Sequence, residues 1–177
     1  MYPGQKNGDE YFRYILENYS DTIIRLCYTH TNNMSDAEDI AEDTFCELVR
    51  SKPSFDSQEH EKAWLLRVAV NKCKNHMKSA RVRLNVSIDD ENMPEIADPS
   101  TVGHDDGGGR VREAVMSLPE KYRIVIHLFY FEDLSIEEIA RVIRLPKATV
   151  GTRLARGRAL LKKQLGDETD DRKGNKK

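Results

Sequence analysis

With 177 residues, 38% of them hydrophobic and 33% charged, the chain suits one large domain or two small ones, and favours small helical cores with wet surfaces over one large buried core. Ten glycines and six prolines are too few to make disorder the default along the whole length. No run approaches the roughly 20 apolar residues of a membrane span, and the N-terminus lacks a basic-plus-apolar leader, so a cytoplasmic protein without membrane insertion is expected.

In chain order, Phe12, Ile15, Leu16, Tyr19, Ile23, Leu26 and Cys27 recur at three- and four-residue intervals and predict a helix from Glu10 to about Thr31. A turn follows at Asn32-Asn33-Met34. Ser35 and Glu38 then read as a capping box opening a second helix, with Ala37, Ile40, Ala41, Thr44, Phe45 and Leu48 inward. Asp36, Glu38, Asp39, Glu42, Asp43 and Glu47 crowd its remaining surface. Ser51 to Gln58 reads as a loop, because Pro53 disfavours helix at Lys52. A third helix is predicted from about His60 to Arg83. Its buried stripe is Leu65, Val68, Ala69, Cys73, His76 or Met77, and Ala80, with Arg67, Asn71, Lys74, Asn75, Lys78 and Arg81 opposite.

Asn85 to Arg110 holds Pro94, Pro99 and three consecutive glycines, and reads as a flexible tether. Val111 to Ser117 and then Glu120 to Phe131, with Pro119 at the first helical position, are the next helices. Ser135 and Glu138 form a second capping box opening Ile136 to Ile143. Arg144-Leu145-Pro146 interrupts, a last helix runs from about Lys147 to Leu165, and the polar tail frays. The expectation is an all-α chain of two small helical domains, 10–84 and 110–166, joined by a flexible acidic linker over 85–109, with a disordered tail over 167–177.

Charge is segregated along this order although the net charge is only −2. Seven bases and no acid fall between Lys62 and Arg83 (Lys62, Arg67, Lys72, Lys74, Lys78, Arg81, Arg83). Seven acids and no base fall between Leu84 and Gly109 (Asp89, Asp90, Glu91, Glu95, Asp98, Asp105, Asp106). Eight bases and no acid fall between Arg141 and Lys163 (Arg141, Arg144, Lys147, Arg153, Arg156, Arg158, Lys162, Lys163). One basic run is ordinarily a solvated face; two, separated by an acidic tether, point to nucleic acid.

Cys27, Cys46 and Cys73 form no CxxC pair and read as small buried thiols, and the five histidines show no HxxxH spacing, so no disulfide, metal or cofactor is expected. No catalytic constellation appears, and the chain reads as a non-enzyme.

Ile136 to Arg158 has the build of a helix-turn-helix. Ile136, Ile139, Ala140 and Ile143 face the core, Leu145 plugs the turn, and Val150 with Leu154 anchors the second helix. Lys147, Thr149, Gly151, Thr152, Arg153 and Arg156 face outward, and such a helix suits the major groove, where arginine bridges two acceptors on guanine. An ordinary helical hairpin with a basic rim is the alternative.

Leu118-Pro119-Glu120-Lys121-Tyr122-Arg123, Phe131 to Ala140 and Ala148 to Arg158 closely resemble the promoter-binding domain of extracytoplasmic-function (ECF) sigma factors of bacterial RNA polymerase. Asp36-Ala37-Glu38-Asp39-Ile40 with Thr44-Phe45 resembles that family's polymerase-binding helix, and Ala63 to Asn71 its helix for the downstream promoter element. The resemblance covers about Tyr11 to Leu165 and implies core RNA polymerase, promoter DNA and an anti-sigma factor as partners. Asp36, Asp39, Ile40, Glu42, Asp43 and Phe45 would then serve docking on the clamp helices of the polymerase largest subunit, the acids as contact groups and Phe45 with Leu48 as packing support. Ser51, Phe55, Asn71, Lys74, Asn75 and Lys78 would serve the minus-ten element, where an apolar wall and one amide suit a base flipped from melted DNA. Lys147, Thr149, Thr152, Arg153, Arg156 and Arg158 would bind the minus-thirty-five element. Phe55 fits a core position equally well, and Trp64 fits a bundle anchor better than a stacking platform.

Three positions depart from the family. Glu42 stands where glutamine is usual, Arg144 where the turn usually has glycine, and Gly151 where a basic residue is common. Two rival functions stay open on sequence: a free-standing helix-turn-helix regulator, which leaves the N-terminal bundle unused, and an adaptor that binds only proteins.

Overall fold

The computed structural model describes residues 8–83 and 108–171, with side chains from 8–80 and 109–166. Among them are seven helices and no strand: α1 (Gly8–Thr31), α2 (Met34–Ser51), α3 (Gln58–Arg83), α4 (Gly108–Met116), α5 (Glu120–Tyr130), α6 (Ile136–Ile143) and α7 (Lys147–Asp171). They belong to two compact units, the first built on α1–α3, the second on α4, α5, α7 and most of α6. The expected tether lies outside the described residues except for Gly108 and Gly109, which open α4. Of the expected tail, Asp167 to Asp171 continue α7, and the rest lies outside.

In the first unit the three helices pack on one another. Ile15, Ile23, Leu26, Leu65 and Leu66 are fully buried, each stabilising the bundle by about 1.5–3 kcal/mol. The stripe read for α3 holds at Leu65, Ala69 and Cys73 and gains Leu66 and Val70, whereas Val68 is half-buried. Cys27 and Cys73 are buried as expected; Cys46 is exposed, because it falls between the inward positions Thr44, Phe45 and Leu48 of α2.

The capping box expected at Ser35 and Glu38 gives way to another cap. Asn33, extended at φ −139°, accepts from the Asp36 N–H at 3.1 Å, so α2 begins one residue earlier. At its other end Lys52 turns left-handed at φ 44° and donates its N–H to the Leu48 carbonyl, and Pro53 then keeps the helix from resuming. Ser51 is therefore the last residue of α2 instead of a loop residue. At the start of α3 the Ser57 Oγ accepts from the His60 N–H at 3.1 Å. Glu61 is fully buried there and takes a 2.6 Å hydrogen bond from the Tyr11 hydroxyl. Burial and this carboxylate together push the Tyr11 hydroxyl well above the ordinary tyrosine range.

In the second unit α7 packs on α5 and α4. Pro119 stands one position before the first helical residue and not on it; its carbonyl accepts from Tyr122 and Arg123. The Ser135–Glu138 capping box forms as read: Ser135 N–H and Oγ donate to Glu138 Oε2 at 2.8 and 2.6 Å, and Glu138 N–H donates back to Ser135 Oγ at 3.3 Å. After α6, Arg144 is left-handed at φ 55°, and Leu145 N–H closes on the Ala140 carbonyl at 3.1 Å, the Schellman ending that usually employs glycine. Holding arginine there costs about 1 kcal/mol.

Gly157 lies close against α5. A Cβ there would meet Ile126 Cγ1 at 3.0 Å and Tyr122 Cβ at 3.4 Å. Gly157→Val is therefore expected to destabilise the second unit by about 1–3 kcal/mol, despite removing a helix-interior glycine. Urea unfolding of the full chain followed by far-ultraviolet circular dichroism measures it; unchanged stability means α5 yields at that contact.

Candidate polymerase and nucleic-acid interfaces

The outer face of α2 follows from its apolar stripe. With Ala37, Ala41, Thr44 and Leu48 buried, the 3.6-residue repeat leaves Asp39, Glu42 and Asp43 exposed on one side. Ile40 and Phe45, read among the docking residues, are 5% and 6% exposed and lie in the bundle core. They brace the helix from within. Asp36 is half-buried and paired with His76 of α3, Oδ2 to Nε2 at 3.2 Å. The acidic contact set thus narrows to Asp39, Glu42 and Asp43.

On α3, Lys74, Asn75 and Lys78 are exposed and Asn71 is half-buried. Phe55 is half-buried too, and meets both His60 and Trp64 edge-to-face, with centroids 5.4 and 5.8 Å apart. This aromatic trio was legible only as separate residues. Ser51 Oγ is committed to the Glu47 carbonyl at 2.7 Å, which leaves it little to offer a base. Among the described residues no hydrogen bond or ring contact joins Phe55 to Asn71, so wall and amide stand as separate parts.

In the second unit, Val150 and Leu154 are buried as predicted, which turns Thr152 and Arg156 outward and leaves Thr149 and Arg153 half-buried at the rim. Arg156 is exposed and has no protein partner among the described residues. Lys147 Nζ lies 3.1 Å from Glu137 Oε2, both well exposed, a pair worth no more than about 1 kcal/mol and readily exchanged. Thr152 Oγ1 donates to the Ala148 carbonyl at 2.9 Å. Nothing lies within 4 Å of a Cβ placed on Gly151, so α7 is open at that position. Arg158 stands apart: its Nε–H donates to the Tyr130 hydroxyl at 2.8 Å.

Sequence reasoning missed a buried polar cluster behind this face. Arg123 is fully buried and donates from Nη1 to the Met116 carbonyl at 2.7 Å. His127, one turn on, lies 3.5 Å from Glu132 Oε1, both nearly inaccessible, with Phe131 stacked on the imidazole at 5.3 Å. The i, i+4 spacing of Arg123 and His127 was the available signal, but charge alone argued for an outer face. Among the described residues, no group of three or more His, Cys, Asp or Glu is placed to hold a metal ion, and no helix is long and apolar enough to cross a membrane.

These two units coincide with two known protein families. The Sigma-70 region 2 family matches residues 15–83, and the Sigma-70, region 4 family matches residues 108–161. The ECF RNA polymerase sigma factor SigW of Bacillus subtilis is 32% identical over 178 residues, covering 92% of this chain and 93% of that protein. The chain belongs to the ECF sigma factor family. The RNA polymerase sigma-H factor of Pseudomonas aeruginosa is 28% identical over 173 residues, covering 91% of this chain and 89% of its own. The sigma factor RpoE, solved with the anti-sigma factor NepR from Bartonella quintana, shares the fold at a TM-score of 0.68 and 22% identity, over 88% of this chain and 96% of its own. As an ECF sigma factor the chain directs core RNA polymerase to promoter DNA and so starts transcription. Its region 2 is α1–α3, and its region 4 contains the helix-turn-helix of α6 and α7.

Proposed function

We propose that the sigma factor divides its work by unit: α2 docks on the clamp helices of the polymerase largest subunit, α3 with the Ser51–Phe55 stretch opens the minus-ten element, and α7 reads the minus-thirty-five element. The observation that carries this reading is the separation of charge by face. Asp39, Glu42 and Asp43 stand exposed on α2, Lys74, Asn75 and Lys78 on α3, and Arg156 without a protein partner on α7. Acids suit a basic protein surface, and basic faces suit phosphate. The acidic stretch 85–109 would tether the units, and polymerase supplies the chemistry.

The proposed site of action is the cytoplasm. Its relative RpoE was solved with an anti-sigma factor, and a comparable inhibitor is proposed for this chain. Run-off transcription with core polymerase on a promoter library tests the whole reading. A discrete set of promoters transcribed only when the chain is present is expected; none would remove it. Gel filtration with core polymerase separates this reading from a free-standing regulator, which would not co-elute.

Asn71→Ala is expected to impair DNA opening more than initial duplex binding. Asn71 is half-buried on α3, and its amide is of the kind that suits the edge of an extruded base. Permanganate footprinting of melted thymines beside a duplex-binding assay measures both steps. Equal loss in both, or none in either, defeats the assignment.

A further inference from the structure

We infer that Arg158 is a positioning residue: through Tyr130 and Phe129 it fixes the roll of α7 about its axis, and it does not itself touch DNA. This rests on the proposal that α7 reads the upstream element. The sequence groups Arg158 with Arg156, but two residues on a 3.6-residue helix separate them by slightly more than half a turn. With Thr152 and Arg156 facing out, Arg158 points back along the edge next to α5.

Its surroundings there are specific. The Nε–H donates to the Tyr130 hydroxyl at 2.8 Å, and the guanidinium carbon lies 4.9 Å from the Phe129 ring and 5.4 Å from the Tyr130 ring. The two rings are themselves 5.0 Å apart at 72°, so they form one corner against which a planar cation rests. Both belong to the last turn of α5.

Gly157 offers no side chain at the seam, Val150 and Leu154 are buried apolar groups, and the 3.2 Å hydrogen bond from Ser117 Oγ to Gln164 Oε1 holds α7 two turns beyond Arg156. A bonded guanidinium is directional. Base-reading groups must be held within roughly 0.5 Å and 10–20° of their productive placement, and a small roll of α7 carries the end of Arg156 beyond that.

The test uses the full chain assembled with core polymerase. Probes are an upstream-element duplex recovered from the run-off screen, its single-base-pair variants and a scrambled duplex, each titrated over several salt concentrations. Arg158→Ala is expected to reduce discrimination between matched and variant duplexes about fivefold, the scale of one weakened base contact. Binding to the scrambled duplex and the salt dependence should stay unchanged. Tyr130→Phe, which keeps the ring and deletes only the hydroxyl, should act in the same direction and add nothing in the Arg158→Ala background. It also guards against a folding defect in Arg158→Ala. Arg158→Lys keeps the charge and should fail to restore discrimination.

A loss equal on all duplexes, with the salt dependence reduced by about one unit, makes Arg158 a phosphate contact and overturns the inference. So does no change in any variant. Arg156→Ala, measured alongside, separates the two levels. If it weakens binding while Arg158 and Tyr130 are silent, only the positioning role fails. If Arg156 is silent as well, the reading of α7 fails and takes this role with it.

Discussion

Replacing Asp39 and Glu42 together by arginine is expected to lower affinity for core polymerase about 10–100-fold while the bundle stays folded. Both side chains are exposed on the face of α2 opposite Ala41, Phe45 and Leu48, so no core contact is lost. Arginine is a good helix former, and the substitutions remove no cap, since the cap of α2 is Asn33. Removing one rim charge ordinarily costs 1 kcal/mol or less. Reversal does more, because attraction to a basic surface becomes repulsion, which costs several kcal/mol when like charges meet. The defect should appear mainly in the association rate and shrink with added salt. Asp36 is a poor choice for this test, because its 3.2 Å contact with His76 ties α2 to α3 and its loss mixes stability with docking. Surface-immobilised core polymerase with wild type and double variant over a salt series gives the answer. Equal affinities would mean that the acids of α2 merely face solvent.

What the sequence revealed was mostly what is local. α6 and the start of α7 fall where the pattern put them, because a capping box, a periodic apolar stripe and Pro146 act within a few residues. The same reasoning misplaced the cap of α2, since Asn33 and Ser35 are both good caps and Asn33, which takes the Asp36 N–H, starts the helix first. Ile40 and Phe45 were read both as part of the inward stripe of α2 and as docking residues, and their burial bears out the inward placement. Tertiary pairing was the least legible. Arg123 is buried on the Met116 carbonyl and His127 is buried beside Glu132, pairings that no periodicity announces. Arg158 was grouped with the DNA-reading residues through the family resemblance, and only the rings of Phe129 and Tyr130 show where it rests.

Arg156→Ala is expected to cost about 1–3 kcal/mol in affinity for the upstream element and to relax preference at one base pair. Arg156 follows Thr152 by about one helical turn and Thr149 by about two, so the three share a side of α7, while Val150 and Leu154 are buried. Lys147 has Glu137 and Arg158 has Tyr130, whereas Arg156 meets no protein partner among the described residues. An arginine projecting from the solvent side of a recognition helix can present two parallel N–H donors to guanine O6 and N7. Gly151 sharpens the expectation, because it leaves open space where a basic residue is common and so leaves more of the selectivity to Arg156. If Arg156 holds only phosphate, binding falls evenly across sequences and the salt dependence shrinks by about one unit. If it is an arginine on a solvated face, nothing changes. Holoenzyme binding to the matched duplex and its single-base-pair variants over a salt series tells the three apart. Should Arg156, Arg153 and Lys147 all prove silent, the DNA-reading face lies elsewhere on the second unit.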